Sequence, residues 1–328
     1  LVKSFWFAGL VVMAGWTLGT QGQAAGGAAA QAAPAAAVAA PSDPFPAINP
    51  KYFTATTPSV DTVNAFLKAQ WGFDPARVWK VMAVQSTAVA GVSKVTVFLT
   101  DKAAGAAAAA PKVQSFSFFT MPDGKHAIAD GAGVIPFGPN PFSDTRKMME
   151  ERADGAAHGA AGKDLLLVEF ADMQCPHCKT AQATMKQLAA DFPQARIVYQ
   201  SFPLVQIHPS AFEAAAYGVC VQKQKNDAFF LYSDDVFEHQ EGLTPDRTDE
   251  VLKAAVLKAG LDPAAVAACA KSEATKAEVN ASVKLAEDAG VDQTPMLSVN
   301  GRMLPMTEIP YETLKRMVAF QAQLDGVK

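Results

Sequence analysis

The chain has 328 residues, half of them hydrophobic and 18% charged, with a formal net charge of -4. That length exceeds one typical small domain, so two folded units are expected. The composition is ordinary for a globular protein, and the slight acidic excess gives no basis for a phosphate-binding surface. Nucleic acid is therefore not an expected partner.

The first residues read as an export signal over residues 1–24. Lys3 supplies a minimal positive start, Phe5 to Leu18 form an apolar core, and Gly22-Gln23-Ala24 offer small residues for cleavage before Ala25. The apolar run falls short of the about 20 residues that a membrane helix needs. An uncleaved signal would instead tether the chain to the membrane. Export places the cysteines in an oxidising compartment, the periplasm. Residues 25–49 are mostly Ala, Gly, Gln and Pro with almost no charge. Such a segment buries too little apolar surface to offset its ordering entropy, and a flexible linker is predicted.

Residues 50–154 predict a small α+β unit. Val60, Val63, Phe66 and Leu67 recur at helical spacing within Val60 to Trp71. Strand-like runs follow at Val78 to Val84, Val92 to Thr100 and Val113 to Phe119, then a Pro-Asp-Gly turn and a run from His126 to Ala129. The stretch from Ala103 to Pro111 reads as a loop. Thr145 to Ala153 is helix-prone, and the Gly/Ala-rich ADGAAHGAAG after it reads as a hinge, which sets a boundary near residue 155.

Residues 155–328 read as strand, helix, strand, a long helical stretch, hairpin, helix. Leu165 to Ala171 is a continuous apolar run suited to a buried strand. Lys179 to Ala190 is helical and Arg196 to Phe202 is a second strand, a βαβ unit expected to cross over right-handed. Residues 209–290 are nearly all helical, with Asp262-Pro263 as N-cap and first-turn proline and Gly260 and Gly290 as helix terminators. Met296 to Val299 and Met303 to Met306 flank Asn300-Gly301, a hairpin signal. Tyr311 to Leu324 closes as an amphipathic helix. The order is the thioredoxin layout, and the fold class expected is α/β (α+β overall): a thioredoxin fold with an inserted helical subdomain at about 209–290, preceded by the small α+β domain.

The chemistry sits in Cys175-Pro176-His177-Cys178, directly after the buried strand and running into a helix. Free amides and the macrodipole at a helix N-terminus favour an anion, so the Cys175 thiolate is stabilised while Cys178, one turn in, gains less. Pro176 fits an early helical position because its missing N–H costs nothing there. His177 can add positive charge or a hydrogen bond beside the sulfur. A fall of ~3 pKa units at Cys175 would favour the reduced form by about 4 kcal/mol, on the order of 90 mV toward an oxidant. A CxxC pair can also be half of a zinc site, but zinc wants four ligands and no second ligand pair accompanies it. A purely structural Cys175–Cys178 bridge closes too small a loop to stabilise much. No cofactor is called for. Cys220 and Cys269 lie on two different predicted helices, and an even leftover pair in an oxidising compartment is expected to form a structural disulfide; buried free thiols are the alternative. Closing their loop would stabilise by about 4 kcal/mol in the chain-entropy model.

The segments VEFADMQCPHC, FPLVQIHPSAFEAA and GVDQTPMLSVNGR together resemble the DsbA-like branch of the thioredoxin superfamily, over roughly residues 160 to 325. The resemblance implies that Cys175 is the exposed nucleophile and Cys178 its buried partner. It makes Glu169 the acidic residue beneath the active site, able to exchange protons as Cys178 changes redox state; a strand-end acid paired with a lysine is the alternative. It makes Pro295 a cis-proline facing the cysteines, whose backbone receives an extended substrate. An ordinary trans turn proline is the alternative there. Thr294 brings a hydroxyl near the sulfurs, and this residue type is closer to isomerase and reductase relatives than to the strongest oxidant. His208 reads as a structural helix-entry residue.

Residues 50–150 are similar in layout to the dimerisation domain of DsbC and DsbG, which implies a homodimer holding two thioredoxin units around a cleft. The expected activity is disulfide exchange with unfolded or reduced exported proteins, as a disulfide donor reset by a membrane or soluble redox partner. Isomerisation or reduction by a dimer with chaperone-like binding is the second reading. A non-catalytic chaperone or a metal-binding carrier is the third.

Overall fold

A computed structural model describes residues 43–102 and 112–327. The expected signal, most of the linker and the loop at 103–111 lie outside the described residues. The described residues divide into two compact units: 43–63 with 75–102 and 112–135, and 64–74 with 136–327.

The first unit is an antiparallel sheet in the order β1 (Arg77–Ser86), β2 (Ser93–Asp101), β3 (Gln114–Thr120), β4 (His126–Ala129), β5 (Gly133–Pro136). Alternation places Val95 and Val97 of β2 in the core with Phe118, Ala127 and Ala129, while Phe119 and Ile128 meet across β3 and β4 on the exposed face. The last strand was not anticipated: it is only four residues long and, Gly133 and Pro136 included, has no apolar alternation to announce it. Helix α1 (Val60–Trp71) starts in this unit, and its residues from Asn64 onward group with the second.

The second unit is built on a mixed sheet in the order β10 (Arg302–Pro305), β9 (Met296–Val299), β7 (Leu166–Ala171), β8 (Arg196–Ser201), β6 (Ala156–Gly159). Strands β7 and β8 are parallel, and the other pairs are antiparallel. All six residues of β7 are buried because helices cover both sheet faces. On one face Leu167, Ile197 and Leu297 pack with α3 (Pro176–Asp191) and α9 (Tyr311–Leu324). On the other, Val168, Phe170 and Val198 pack with Met149 of α2 (Ser143–Arg152) and Leu285 of α8 (Glu273–Asp288). Helices α4 (Ala211–Gln224), α5 (Asn226–Glu238), α6 (Thr248–Lys258) and α7 (Pro263–Ala270) form the insertion, whose core takes in Ala171, Met173 and Tyr199. A Cys220–Cys269 disulfide joins α4 to α7.

Two sequence expectations need correction. The Gly/Ala-rich stretch read as a hinge contains β6, an edge strand on β8. Its glycines are there for close approach: a Cβ at Gly155 would lie 1.9 Å from the Tyr199 carbonyl oxygen, and one at Gly159 2.2 Å from that of Ala195. The boundary near residue 155 also moves, because α2 is welded to the second unit through buried Met149.

The hairpin turn at Asn300-Gly301 does more than reverse the chain. Both residues have positive φ (46° and 88°), the conformation such a turn needs. The Asn300 carboxamide accepts from Leu166 N at 2.7 Å and donates to Asp164 O at 2.9 Å, locking the start of β7. Next to it, Arg302 is 4% exposed and donates to the Ala69 and Gln70 carbonyls at 2.9 and 2.7 Å, closing the open C-terminal end of α1. Its guanidinium lies over the Phe73 and Phe142 rings at 5.2 and 5.4 Å, and burial lowers its pKa to about 10. Arg302→Met keeps the aliphatic stem but leaves both carbonyls unpaired. It is expected to destabilise by about 2–4 kcal/mol in urea unfolding; a loss under about 0.5 kcal/mol would show that the cap contributes nothing.

Candidate active site

Strand β7 ends at Ala171, and the next three residues turn the chain into α3. Asp172 folds that turn: its Oδ1 accepts from Gln174 N at 2.7 Å and its main-chain oxygen from Cys175 N at 3.1 Å. Cys175 is the N-cap of α3, with extended backbone (φ -79°, ψ 121°) and Pro176 in the first turn. Its carbonyl accepts from Cys178 N and Lys179 N, which starts the helix. An N-cap side chain sits where unpaired amides converge. Here it is a sulfur.

The two thiols are driven apart electrostatically. The Cys178 thiol is the largest influence on Cys175 and lowers its pKa; burial opposes it, and the Thr294 hydroxyl and the amides of Cys178 and His177 lower it further, to about 5. Cys178 goes the other way, because burial and the Cys175 anion beside it both disfavour a second charge. One sulfur is therefore a thiolate at neutral pH and its neighbour a thiol. The resemblance implies an exposed Cys175, but the residue is 5% exposed against 0% for Cys178. The Cys175 sulfur is recessed, packed with the insertion's core and against the loop carrying Thr294.

Glu169 lies in β7 on the face beneath α3 and is 3% exposed. Burial raises its pKa to about 7, with a hydrogen bond from Gln182 acting against the rise. The lysine alternative fails: the partner is Gln182, whose Nε2 donates to Glu169 Oε1 at 2.9 Å and to Cys178 O at 3.1 Å. One carboxamide thus couples the carboxyl to the residue whose thiol changes charge.

The Thr294–Pro295 peptide bond is cis. In its thiol form Cys175 Sγ donates to Thr294 O at 3.7 Å, and the contact brings together two segments 119 residues apart. The buried Thr294 hydroxyl makes no close hydrogen bond among the described residues, so its pull on the Cys175 charge acts at longer range. His177 is exposed beside Pro176 at the start of α3.

Side chains not singled out in the sequence hold the loop. Gln174 accepts from Ser210 N and donates to Leu243 O, both at 2.8 Å. Gln240 donates to Met173 O at 2.8 Å and to Cys175 O at 3.0 Å. Asp172 Oδ2 accepts from Leu204 N and pairs with His208 Nδ1, each at 2.8 Å, so His208 anchors the active-site loop as well as entering α4. Asp172 and Gln174 had a local signal, an Asx turn between an apolar strand and a CxxC. Gln182 and Gln240 had none, because polar residues on a helix or turn look solvent-facing until the fold buries them.

A family model described as thioredoxin matches residues 154–319. That stretch is half the chain, and the chain belongs to the thioredoxin family. Among curated relatives, Na(+)/H(+) antiporter NhaA 3 of Salinispora tropica is 31% identical over 136 residues, 42% of this chain and 20% of that protein. The match thus spans only a fifth of the antiporter. The probable disulfide bond formation protein D of Bacillus cereus is 28% identical over 172 residues, 49% of this chain and 79% of that protein. Among solved structures, the catalytic domain of Proteus mirabilis ScsC is similar at 18% identity and a TM-score of 0.46, covering 56% of this chain and 99% of that one.

In the reduced protein Cys175 is expected to titrate near pH 5 by thiolate ultraviolet absorbance. Cys178→Ala should raise that midpoint, since it removes the largest stabiliser of the anion; a midpoint that stays put rules the Cys178 thiol out as the cause. The folded value lies below the ordinary 9.0, so ionisation stabilises the reduced fold. That contribution should be full above about pH 9, fall as pH drops, and vanish below about pH 5 in denaturant unfolding compared with Cys175→Ala.

Proposed function

We propose that this chain is an exported thiol–disulfide oxidoreductase that donates disulfides to protein substrates through Cys175 and Cys178. The observation that carries the reading is the asymmetry of the pair: an anionic sulfur on a helix N-cap beside a buried neutral one. The name of the Bacillus cereus relative, a probable disulfide bond formation protein, supports it.

In the oxidised protein a substrate thiolate attacks Cys175 Sγ. The Cys175–Cys178 bond breaks, its electron pair goes to Cys178 Sγ, and a mixed disulfide forms. A second substrate thiolate then attacks the substrate sulfur of that bond, and Cys175 leaves as the stabilised anion. The substrate loses two electrons and gains a disulfide, and the protein becomes a dithiol. A redox partner that accepts those electrons resets it. Because a low Cys175 pKa stabilises the reduced form, electron flow runs from substrate to protein. The cis Thr294–Pro295 segment would receive the substrate backbone as an added strand, next to the sulfur to be attacked.

The oxidised protein is expected to introduce disulfides into a reduced, unfolded model protein, and Cys175→Ser to abolish this. The potential of the pair should lie on the oxidising side of about -180 mV. A potential near that of thioredoxin, about -270 mV, together with rescue of scrambled disulfides, would favour the isomerase or reductase reading. Metal binding lost in Cys175→Ser, with no exchange by the unaltered chain, would favour a carrier.

A further inference from the structure

Tyr199 lies beside the reactive pair with a hydroxyl that does nothing in the resting fold. Strand β8 pairs with β7 in parallel register, and Tyr199 stands opposite Glu169. Partners in such a pair project to the same face, here the one beneath α3, as Ile197 does two residues earlier. The side chain packs in the buried cluster that contains Cys175 and Cys178, with the Phe229 ring 5.0 Å away, and the residue is 5% exposed. Its Oη has no hydrogen-bond partner among the described residues. A buried hydroxyl left unpaired is destabilising, and phenylalanine would fill the same apolar surroundings without that cost. The hydroxyl therefore suits a partner that is present only part of the time.

The titratable groups facing it are Cys178, Glu169, Asp172 and Tyr232. Two of them are already engaged. Tyr232 donates to Ala214 O at 2.8 Å, and the Asp172 oxygens accept from Gln174 N, Leu204 N and His208. Glu169 Oε1 is taken by Gln182. Cys178 Sγ accepts from Asp172 N at 3.3 Å, and it is the group whose charge changes during exchange, with room on the anion for a further donor. Burial first, then the charges on Cys178, Glu169 and Asp172, hold the Tyr199 pKa well above its usual value, so the phenol remains a neutral donor.

Resting on the disulfide-exchange reading above, we propose that the Tyr199 hydroxyl donates a hydrogen bond to Cys178 Sγ while that sulfur leaves as a thiolate. The bond pair of the Cys175–Cys178 disulfide moves onto Cys178 Sγ as the substrate sulfur bonds to Cys175. Tyr199 holds the resulting anion without giving up its proton. The Glu169 carboxyl then transfers its own proton to Cys178, becomes a carboxylate, and is reprotonated from solvent before the next cycle.

The test is single-turnover reaction of the oxidised full chain with a reduced model peptide, comparing wild type with Tyr199→Phe across pH. The variant is expected to form the mixed disulfide at least tenfold more slowly above about pH 7, where Glu169 is ionised and the leaving sulfur has only the Asp172 amide besides Tyr199. The gap should narrow below that value, where the acid supplies a proton promptly. Reduction potential and Cys175 titration should match wild type, readouts that a merely structural role would disturb. Fluorotyrosine placed at 199, a stronger donor of the same shape, should speed the step. Equal rates for wild type and both variants at every pH overturn the role of Tyr199 and leave the oxidoreductase reading intact. A wild-type chain that forms no mixed disulfide overturns that reading, and this inference with it.

Discussion

Two sulfurs three residues apart cannot both be anions in a buried site, and the architecture around α3 decides which one is. The N-cap gives Cys175 converging amides, the thiol of Cys178 and the Thr294 hydroxyl, while at Cys178 burial and a neighbouring negative charge outweigh the Asp172 amide and Thr294. Interaction between the two is strong enough that they titrate as a pair. Every other feature of the site either sharpens this division or manages its consequences. Burial raises the pKa of Glu169 to about 7, so near neutrality its carboxyl is partly protonated beside the pair. Its burial also has a cost: the folded state loses stability as pH climbs from 4.5 through about 7.

A short loop carrying such chemistry has to be held still, and the insertion does this. Gln174 and Gln240 bind backbone groups across the loop, and His208 with Asp172 ties it to the segment that leads into α4. These are hydrogen bonds to carbonyls and amides that a strand-to-helix turn would otherwise bury unpaired. The insertion is itself braced by the Cys220–Cys269 bond between α4 and α7. The helical subdomain is thus part of the active-site scaffold. Its packing over the loop is also the reason that Cys175 is recessed.

The same logic of satisfied buried polar groups governs the far end of the sheet. Asn300 and Arg302 follow one another within a short hairpin, yet they serve the start of β7 and the end of α1. Both are polar residues placed where exposed backbone groups would otherwise be enclosed. Among the described residues no helix is long and apolar enough to cross a membrane. In the first unit, the cross-strand pair Phe119 and Ile128 leaves apolar surface on the outer sheet face.

The repeating elements were legible from the residues alone. Strand β7, the capped helices of the insertion, the Asn300-Gly301 turn and α9 all carry periodic or capping signals that act over a few residues, so local sequence determines them. The placement of CPHC was legible for the same reason: it announces a helix N-terminus next to a strand. Strand β6 and the exposure of Cys175 were not, because each depends on what another part of the chain presses against it. A Gly/Ala run becomes a strand only when the β8 backbone lies 2 Å from where its side chains would be. Gln182 and Gln240 joined the site, and the Tyr199 hydroxyl was left unpaired, only when tertiary packing removed water from around them, since a polar side chain acquires a specific partner, or the lack of one, only after its solvent is gone.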